Sequence, residues 1–222
     1  MAAGAMGKAY DATWGRLFAS LYDRALKASE ENGLGEMRRT LLAEARGRVV
    51  EIGAGTGVNL DLYGAGIDDL TLVEPDPHMG AKLRDRLTGH SGPARLVTAP
   101  AEALPFPDDT FDTAVATLVL CTVPDPVAAI VELARVLKPG GRLLFIEHVR
   151  AADLGSARWQ DRFEKPWRFM ADGCHCNRDT LAGIEAAGFT VESATDDEMP
   201  QAPPLIRPLI RGSAVAGVAA AQ

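Results

Sequence analysis

Val49-Val50-Glu51-Ile52-Gly53-Ala54-Gly55-Thr56-Gly57 is an apolar run with an acid near its end, followed by glycine at every second position. The run reads as a buried strand. Val58-Asn59-Leu60-Asp61-Leu62-Tyr63 follows, and its spacing predicts a helix that begins near Gly57. Strand, glycine turn and helix make a nucleotide-binding βα unit. Gly53 and Gly55 let the backbone turn tightly and approach a ligand with no Cβ in the way. A helix start near Gly57 would aim free N–H groups and a positive dipole end at that ligand. The dinucleotide spacing G-x-G-x-x-G needs its third glycine at position 58, which is Val58, so the pattern here is E-x-G-x-G-x-G. That weighs against an NAD-dependent oxidoreductase.

Leu70-Thr71-Leu72-Val73-Glu74 reads as the next strand, and it ends in a carboxylate 17 residues beyond Gly57. A carboxylate there can accept both hydroxyls of a ribose. Pro75-Asp76-Pro77 is a stiff turn ahead of a helix from His78 to Leu87. Residues 94–98, 111–117 and 142–149 read as three further strands. Asp125 caps a helix with Pro126 in its first turn, and Lys138-Pro139-Gly140-Gly141 stops it. Asn177 is expected to cap a helix over 178–187, ahead of a sixth strand over 189–194. The tail through 205–210 supplies a seventh strand, which Pro208 places at a sheet edge. Alternating strands and helices predict an α/β fold, a doubly wound, mostly parallel seven-stranded sheet in one domain over 1–222. Its ligands should bind beyond the strand carboxyl ends, where the proline-stiffened loop 99–107 also lies.

Two segments stand outside this alternation. From Lys8 to Glu30, apolar residues recur at helical spacing, and Tyr10, Trp14, Phe18 and Tyr22 are spaced by four. They share a helix face that either packs on the domain or covers the site. Asn32-Gly33 ends this helix, and a second one runs from Met37 to Arg46. Residues 150–178 cluster Trp159, Phe163, Trp167 and Phe169 with charges. The expectation is a helical lid over 8–46 and an acceptor-side cap over 150–178.

The chain has 222 residues, 47% hydrophobic and 24% charged, with net charge −7 and a pI near 5.1. An acidic chain with no basic, aromatic-interleaved run points away from nucleic acid. No apolar stretch approaches the ~18 residues of a membrane span, and the first residues do not form a signal peptide. Three cysteines make no disulfide framework and suit a reducing, cytoplasmic setting, in a monomer or homodimer. Cys174-His175-Cys176 invites a metal reading. Adjacent residues rarely converge on one ion, however, and no second Cys/His pair has metal spacing, so no metal is expected.

From Gly47 to Phe189 the sequence resembles the class I S-adenosylmethionine (SAM)-dependent methyltransferases. The resemblance is carried by Glu51 to Gly57, by Glu74, by Glu102-Ala103-Leu104-Pro105-Phe106-Pro107 with Phe111-Asp112, and by Arg135 to Gly141. The last two stretches are typical of the quinone-biosynthesis C-methyltransferase subgroup. Residues 118–123, Glu147-His148-Val149 and Asp172-Gly173-Cys174 with Arg178 are similar to the alkyl-thiol methyltransferase group. The resemblance implies SAM as cofactor. Gly53, Gly55, Gly57 and Asn59 would shape the pocket for its methionine part, with Glu51 holding the ammonium. Glu74 beside Pro75 would take the ribose hydroxyls, Ala101 and Glu102 would border the adenine, and Thr117 and Leu118 would lie under the sulfonium. Pro100 stands where quinone-type relatives often carry an acid, so the adenine amino group must find Glu102, backbone or water. The apolar N-terminal anchor of the animal thiol enzymes is not evident here.

Methyl transfer from a sulfonium is an in-line displacement of an already activated group. The protein must align the acceptor and exclude water. A thiol or phenol also has to lose a proton. His148 at the end of the fifth strand and Asp172 are the catalytic candidates. Trp14, Tyr22, Cys121, Glu147 and Cys174 are expected around the acceptor. That acceptor reads as a small molecule, a thiol first. A quinone precursor, a natural product or a phospholipid amine is the alternative, and a non-catalytic SAM-binding module is the reading from another class.

Overall fold

The computed structural model describes residues 2–217, without the side chains of residues 2–14 and of Phe18. Seven strands form one sheet: β1 (Gly47–Ile52), β2 (Ile67–Val73), β3 (Ala94–Val97), β4 (Phe111–Thr117), β5 (Leu137–His148), β6 (Phe189–Glu198) and β7 (Pro208–Ala216). Their spatial order is β3-β2-β1-β4-β5-β7-β6. The first five are parallel, and β7 runs antiparallel to both neighbours. The order reverses beside β1, and that switch point is where an open α/β sheet leaves a crevice for a ligand.

The central parallel strands β1, β4 and β5 are buried on both faces, as strands covered by helices on either side are, while the edge strand β6 is mostly exposed. Side chains alternate across a strand, so Val50 and Ile52 pack into one apolar cluster while Val49 packs into the other. Leu143 and Phe145 likewise face one side, and Leu144 and Ile146 the other. Helix α1 (Ala2–Ser29) ends at a kink where Gly33 has φ 137°, and α2 (Gly35–Leu42) leads into β1. α3 (Pro77–Gly89) and α4 (Pro126–Val136) each begin with proline behind an aspartate cap. Asp76 accepts from the N–H groups of His78 and Met79, and Asp125 accepts from that of Ala128.

Three expectations need correction. No helix follows Gly57. Residues 58–62 form turns closed by two short-range bonds, Leu60 N–H to Gly57 and Leu62 N–H to Asn59. The segment is too short to offset helix nucleation, and the Asn59 side chain is drawn inward by other partners. Pro208 does not mark an edge, because β7 lies between β5 and β6. It is the first residue of the strand, and its carbonyl accepts from Val149 N–H while its missing N–H costs no ladder bond.

Residues 150–178 hold a 17-residue helix, α5 (Leu154–Met170), capped by Asp153 through Ser156 N–H. The cap of α6 (Thr180–Ala186) is Asp179, which accepts from Ala182 N–H, while the Asn177 amide donates to Asp161.

Candidate active site

A cavity of about 750 Å³ opens beyond the carboxyl ends of the parallel strands. The β1 turn contributes Gly53 and Gly55, and the end of β2 contributes Glu74, Pro75 and Asp76. The loop after β3 adds Pro100, Ala101 and Glu102, the end of β4 adds Leu118, Val119 and Cys121, and β5 adds His148. Helix α1 covers it with Leu17, Leu21 and Tyr22, and the end of α5 with Trp167, Met170, Asp172 and Cys174. Met199 to Ile206, between β6 and β7, close the remaining side, a contribution the sequence did not signal.

Gly53 and Gly55 both have φ 56°, a left-handed conformation that side chains resist. They differ in what surrounds them. A Cβ on Gly53 would meet Val119 Cγ2 at 2.1 Å, whereas one on Gly55 would meet only Gly53 O, at 3.9 Å. Gly55 is thus the position where backbone lies bare to the cavity. Its N–H donates to Glu74 Oε2 at 2.7 Å, and Asp76 N–H donates to Glu74 Oε1 at 2.8 Å. Each oxygen keeps a further lone pair, on a residue of the cavity wall. Burial raises the Glu74 carboxyl above its usual range against those two bonds. An open glycine turn beside a braced carboxylate fits the methionine and ribose parts of SAM.

Five expected residues do not line the cavity. A Cβ on Gly57 would meet Leu83 Cδ1 at 2.5 Å, so this glycine serves close packing on α3. Glu51, Asn59 and Thr117 join a buried network behind the wall. Asn59 Nδ2 donates to Glu51 Oε1 at 2.8 Å and to Thr117 Oγ1 at 2.9 Å, and the Tyr63 hydroxyl donates to Glu51 Oε2 at 2.6 Å. Arg38, 1% exposed, donates to Thr117 Oγ1 at 2.7 Å, Asn59 Oδ1 at 3.1 Å and Glu30 Oε1 at 3.0 Å. Burial pushes Glu51 up to about 7 despite these partners. Nothing in the helix around Arg38 betrayed that role in the sequence.

Glu147 is the fifth. Its carboxylate accepts from the N–H groups of Val119 (3.0 Å), Leu120 (2.9 Å) and Cys121 (3.1 Å). It therefore grips the turn after β4, where Leu118 has φ 57°. A branched residue in the left-handed region is strained, and three charge-assisted bonds to the next three residues hold it there. Burial raises Glu147 to about 7. Arg178 donates to the Leu120 carbonyl from the other side. Gln160, inside α5, ties Val149, Ala151, Cys176 and Leu205 together through four bonds.

His148 is on the cavity wall, but burial lowers it to about 4. The near-neutral intrinsic pKa that recommended it as a base is lost. The backbone at Pro208 and Ile206 engages the ring, and Nδ1 is buried without a hydrogen-bond partner among the described residues. Cys121 and Cys174 face each other at 3.9 Å between sulfurs. That contact holds the Cys121 thiol well above its ordinary value and lowers Cys174, which also lies near Arg178. Burial keeps the Tyr22 hydroxyl protonated far above neutrality. The Trp14 side chain lies outside the described residues. Among the described residues, no group of three His, Cys, Asp or Glu could hold a metal ion, and no helix is long and apolar enough to cross a membrane.

Comparison with known proteins agrees with this geometry. The Methyltransferase domain family matches residues 50–145. Thiol S-methyltransferase TMT1B of Homo sapiens is 33% identical over 202 residues, 89% of this chain and 80% of that protein. Ubiquinone/menaquinone biosynthesis C-methyltransferase UbiE of Geobacter sulfurreducens is 38% identical over 106 residues, 46% of this chain and 41% of that protein. A SAM-dependent methyltransferase of Thermotoga maritima, at 23% identity, shares the fold with a TM-score of 0.67 over 90% of this chain and 97% of that one. With an open glycine turn beside a braced carboxylate at the carboxyl ends of the strands and these relatives, the chain belongs to the class I SAM-dependent methyltransferases and methylates a small molecule.

Proposed function

We propose that the acceptor is a small, partly apolar thiol. The cavity carries this reading. One wall offers Gly55 and Glu74 to the cofactor, and most of the rest is apolar, from Leu17, Leu21, Leu118, Val119 and Met170. The name of the human relative, a thiol S-methyltransferase matched over four fifths of its length, supports it. When bound, SAM supplies a methyl group already activated on a sulfonium. Glu74 takes the ribose hydroxyls, Ala101 and Glu102 border the adenine, and Leu118 lies beneath the reacting sulfur. Glu51, Asn59, Thr117 and Gly57 act from behind the wall as positioning residues. Helix α1 and the 150–178 segment act as a cap that strips water from the acceptor.

Few groups are needed for the chemistry. A thiol of ordinary pKa, about 8.5, is partly ionised near neutrality, and its thiolate is the attacking species. His148, at about 4, is too weak to take that proton. The mismatch of about 4.5 pH units would cost roughly 6 kcal/mol. Its buried Nδ1 instead accepts a hydrogen bond from the thiol S–H and orients the sulfur before the proton leaves. Asp172, exposed at the cavity rim, orients the water that takes the proton, since a carboxylate is as weak a base as this imidazole.

A panel of small thiols, phenols, demethylated quinones and phosphatidylethanolamine, with S-adenosylhomocysteine as readout, tests this reading. Turnover of thiols should rise with pH toward their pKa. His148→Ala should lower kcat/KM about tenfold, the worth of one hydrogen bond of about 1.4 kcal/mol, and leave the pH rise in place. Asp172→Asn should make that rise shallower. Ready methylation of a quinone precursor with every thiol untouched would replace the thiol by a ring carbon, the reading that the UbiE relative supports.

A further inference from the structure

Helix α5 presents a solvent-facing stripe that the chemistry does not use. Trp159, Phe163, Pro166 and Met170 follow one another at spacings of four, three and four, so they share one helix face. Trp159 is 61% exposed, Phe163 38% and Met170 55%, and Phe169 beside them is 63% exposed. The rings of Trp159 and Phe163 stack with centroids 5.1 Å apart and planes 4° from parallel. Two large rings stacked against each other in water leave a wide apolar patch uncovered.

The charges are sorted to match. Arg158, Arg162 and Lys165 flank the stripe, and among the described residues none of the three forms an ion pair. The acids of the same helix are engaged elsewhere. Asp161 accepts from Arg150 and Asn177, and Glu164 pairs with Arg168 and His175. A cationic, aromatic face therefore stands on a chain whose net charge is −7. A second exposed apolar pair on a helix, Val127 and Val131 of α4, lacks aromatic partners on that helix. The stripe also runs to the cavity. Met170 is both its last residue and part of the cavity wall, together with half-exposed Leu17 and Leu21 of α1.

We propose that this face of α5 docks on an anionic phospholipid bilayer and sets the mouth of the cavity against the lipid. Trp and Phe seat in the headgroup–acyl boundary, and the three cations meet the lipid phosphates. Cations near an anionic surface each improve partitioning by roughly fivefold, and the effect is local because charges beyond about 10 Å are screened. Repulsion from the acidic remainder of the chain is thereby limited. An acceptor dissolved in the bilayer would enter past Met170, Leu17 and Leu21 without crossing water. The docking itself holds whatever the acceptor proves to be.

The test uses the full chain with vesicles of phosphatidylcholine alone or mixed with phosphatidylglycerol, read by co-sedimentation. Binding is expected only to the anionic vesicles, and it should fall at least tenfold at 0.5 M salt, an ionic strength that shortens screening to a few ångströms. W159S/F163S should lose it by at least tenfold, and R158Q/R162Q/K165Q by roughly a hundredfold. Both variants should keep the wild-type circular dichroism and SAM affinity, because none of these side chains lines the cavity. Brominated acyl chains should quench wild-type tryptophan emission but not that of W159F, which should still sediment. No binding to anionic vesicles at low salt would overturn the proposal. So would equal binding by wild type and both variants. If sedimentation velocity shows a dimer that W159S/F163S converts to monomer, the face is a contact between two copies, and the lipid reading fails.

Discussion

The wall proposed above for the cofactor and the wall proposed for the acceptor are built in different ways. The cofactor side comes from strand ends adjacent in the sheet, and its polar groups answer one another. Gly55 and Asp76 brace Glu74, and Asn59 and Tyr63 satisfy Glu51. The acceptor side draws on α1, α5, the turn after β4 and the β6–β7 connection, segments far apart in sequence and mostly apolar where they meet. Its precision rests on a few anchors, above all Glu147 on the strained turn at Leu118. A site of this kind can change its acceptor by replacing apolar side chains while keeping its donor. Changes to the anchors should therefore damage the acceptor side through folding, and changes at the donor wall should damage affinity alone.

The largest effect is expected at Glu147. Glu147→Ala leaves three buried N–H groups without their acceptor, and the cost of each unmet bond, about 1–3 kcal/mol, argues for a total loss on the order of 3–5 kcal/mol. Glu147→Gln keeps one carbonyl oxygen and should lose about half as much. Urea unfolding measures both. If the alanine variant unfolds at the wild-type midpoint, the grip on this turn is not what holds the acceptor side in shape.

Next comes the pH dependence of stability. Glu51 and Glu147 are raised from 4.5 to about 7 in the fold. Between those values the folded protein binds more protons than the unfolded chain. Their contribution is therefore complete below about pH 4.5 and lost as pH rises through 7. His148, lowered from 6.5 to about 4, acts the other way, and its contribution is lost as pH falls through 4. Two carboxyls against one imidazole leave a net fall in stability from pH 5 to 7, on the order of 2–3 kcal/mol. Glu51→Gln leaves one carboxyl against one imidazole and should nearly abolish that fall. A variant slope equal to wild type would mean that the buried network behind the donor wall does not titrate in this window.

How much of this could be read beforehand follows the same division. Glycine spacing, strand-end acids and Pro-capped helices are local signals, and Gly53, Gly55 and Glu74 stand on the cavity wall and Pro126 opens α4 as those signals predict. The helix expected after Gly57 failed because the pattern of apolar residues said nothing of Asn59 turning inward to Glu51 and Thr117. Pro208 misled because a proline at the first residue of a strand is as acceptable as one at an edge, and only pairing decides between them. Arg38, Gln160 and Met199 to Ile206 gave no signal, since they act on partners in other elements, up to 79 residues away for Arg38 and 45 for Gln160. His148 was found as a position but not as a chemical state, because its pKa is set by burial.

At the donor wall, Gly55→Leu and Glu74→Ala should separate affinity from folding. The cavity has room for a side chain at position 55, so the fold survives, with roughly 1–2 kcal/mol of backbone strain at φ 56°. SAM binding should be lost, because the side chain occupies the place where backbone meets ligand. Glu74→Ala should weaken SAM by about 1–3 kcal/mol, the range for bonds to a charged group, and should free the Gly55 and Asp76 N–H groups to water from the cavity. Calorimetric titration with SAM and its demethylated product decides. Wild-type affinity in both variants would place the cofactor elsewhere.

The smallest expected effect distinguishes two neighbouring residues. Asp179 accepts from Ala182 N–H and starts α6, while the Asn177 amide reaches Asp161 on the exposed flank of α5. Losing a helix cap costs about 1 kcal/mol. An exposed bond to a carboxylate already held by Arg150 should cost only a few tenths, in the range of surface polar pairs. Asp179→Ala should therefore destabilise more than Asn177→Ala. It should also reach the acceptor side, because Arg178 sits just before the cap. That residue joins the Leu120 carbonyl through its guanidinium and Arg150 N–H through its own carbonyl. A loosened α6 would free Arg178, weaken the turn that Glu147 holds, and raise KM for the acceptor while SAM affinity stays unchanged. If Asn177→Ala proved the costlier change, the chain would enter α6 two residues earlier. Arg178 would then be drawn into the first turn of that helix, and its hold on Leu120 would have to come from another geometry.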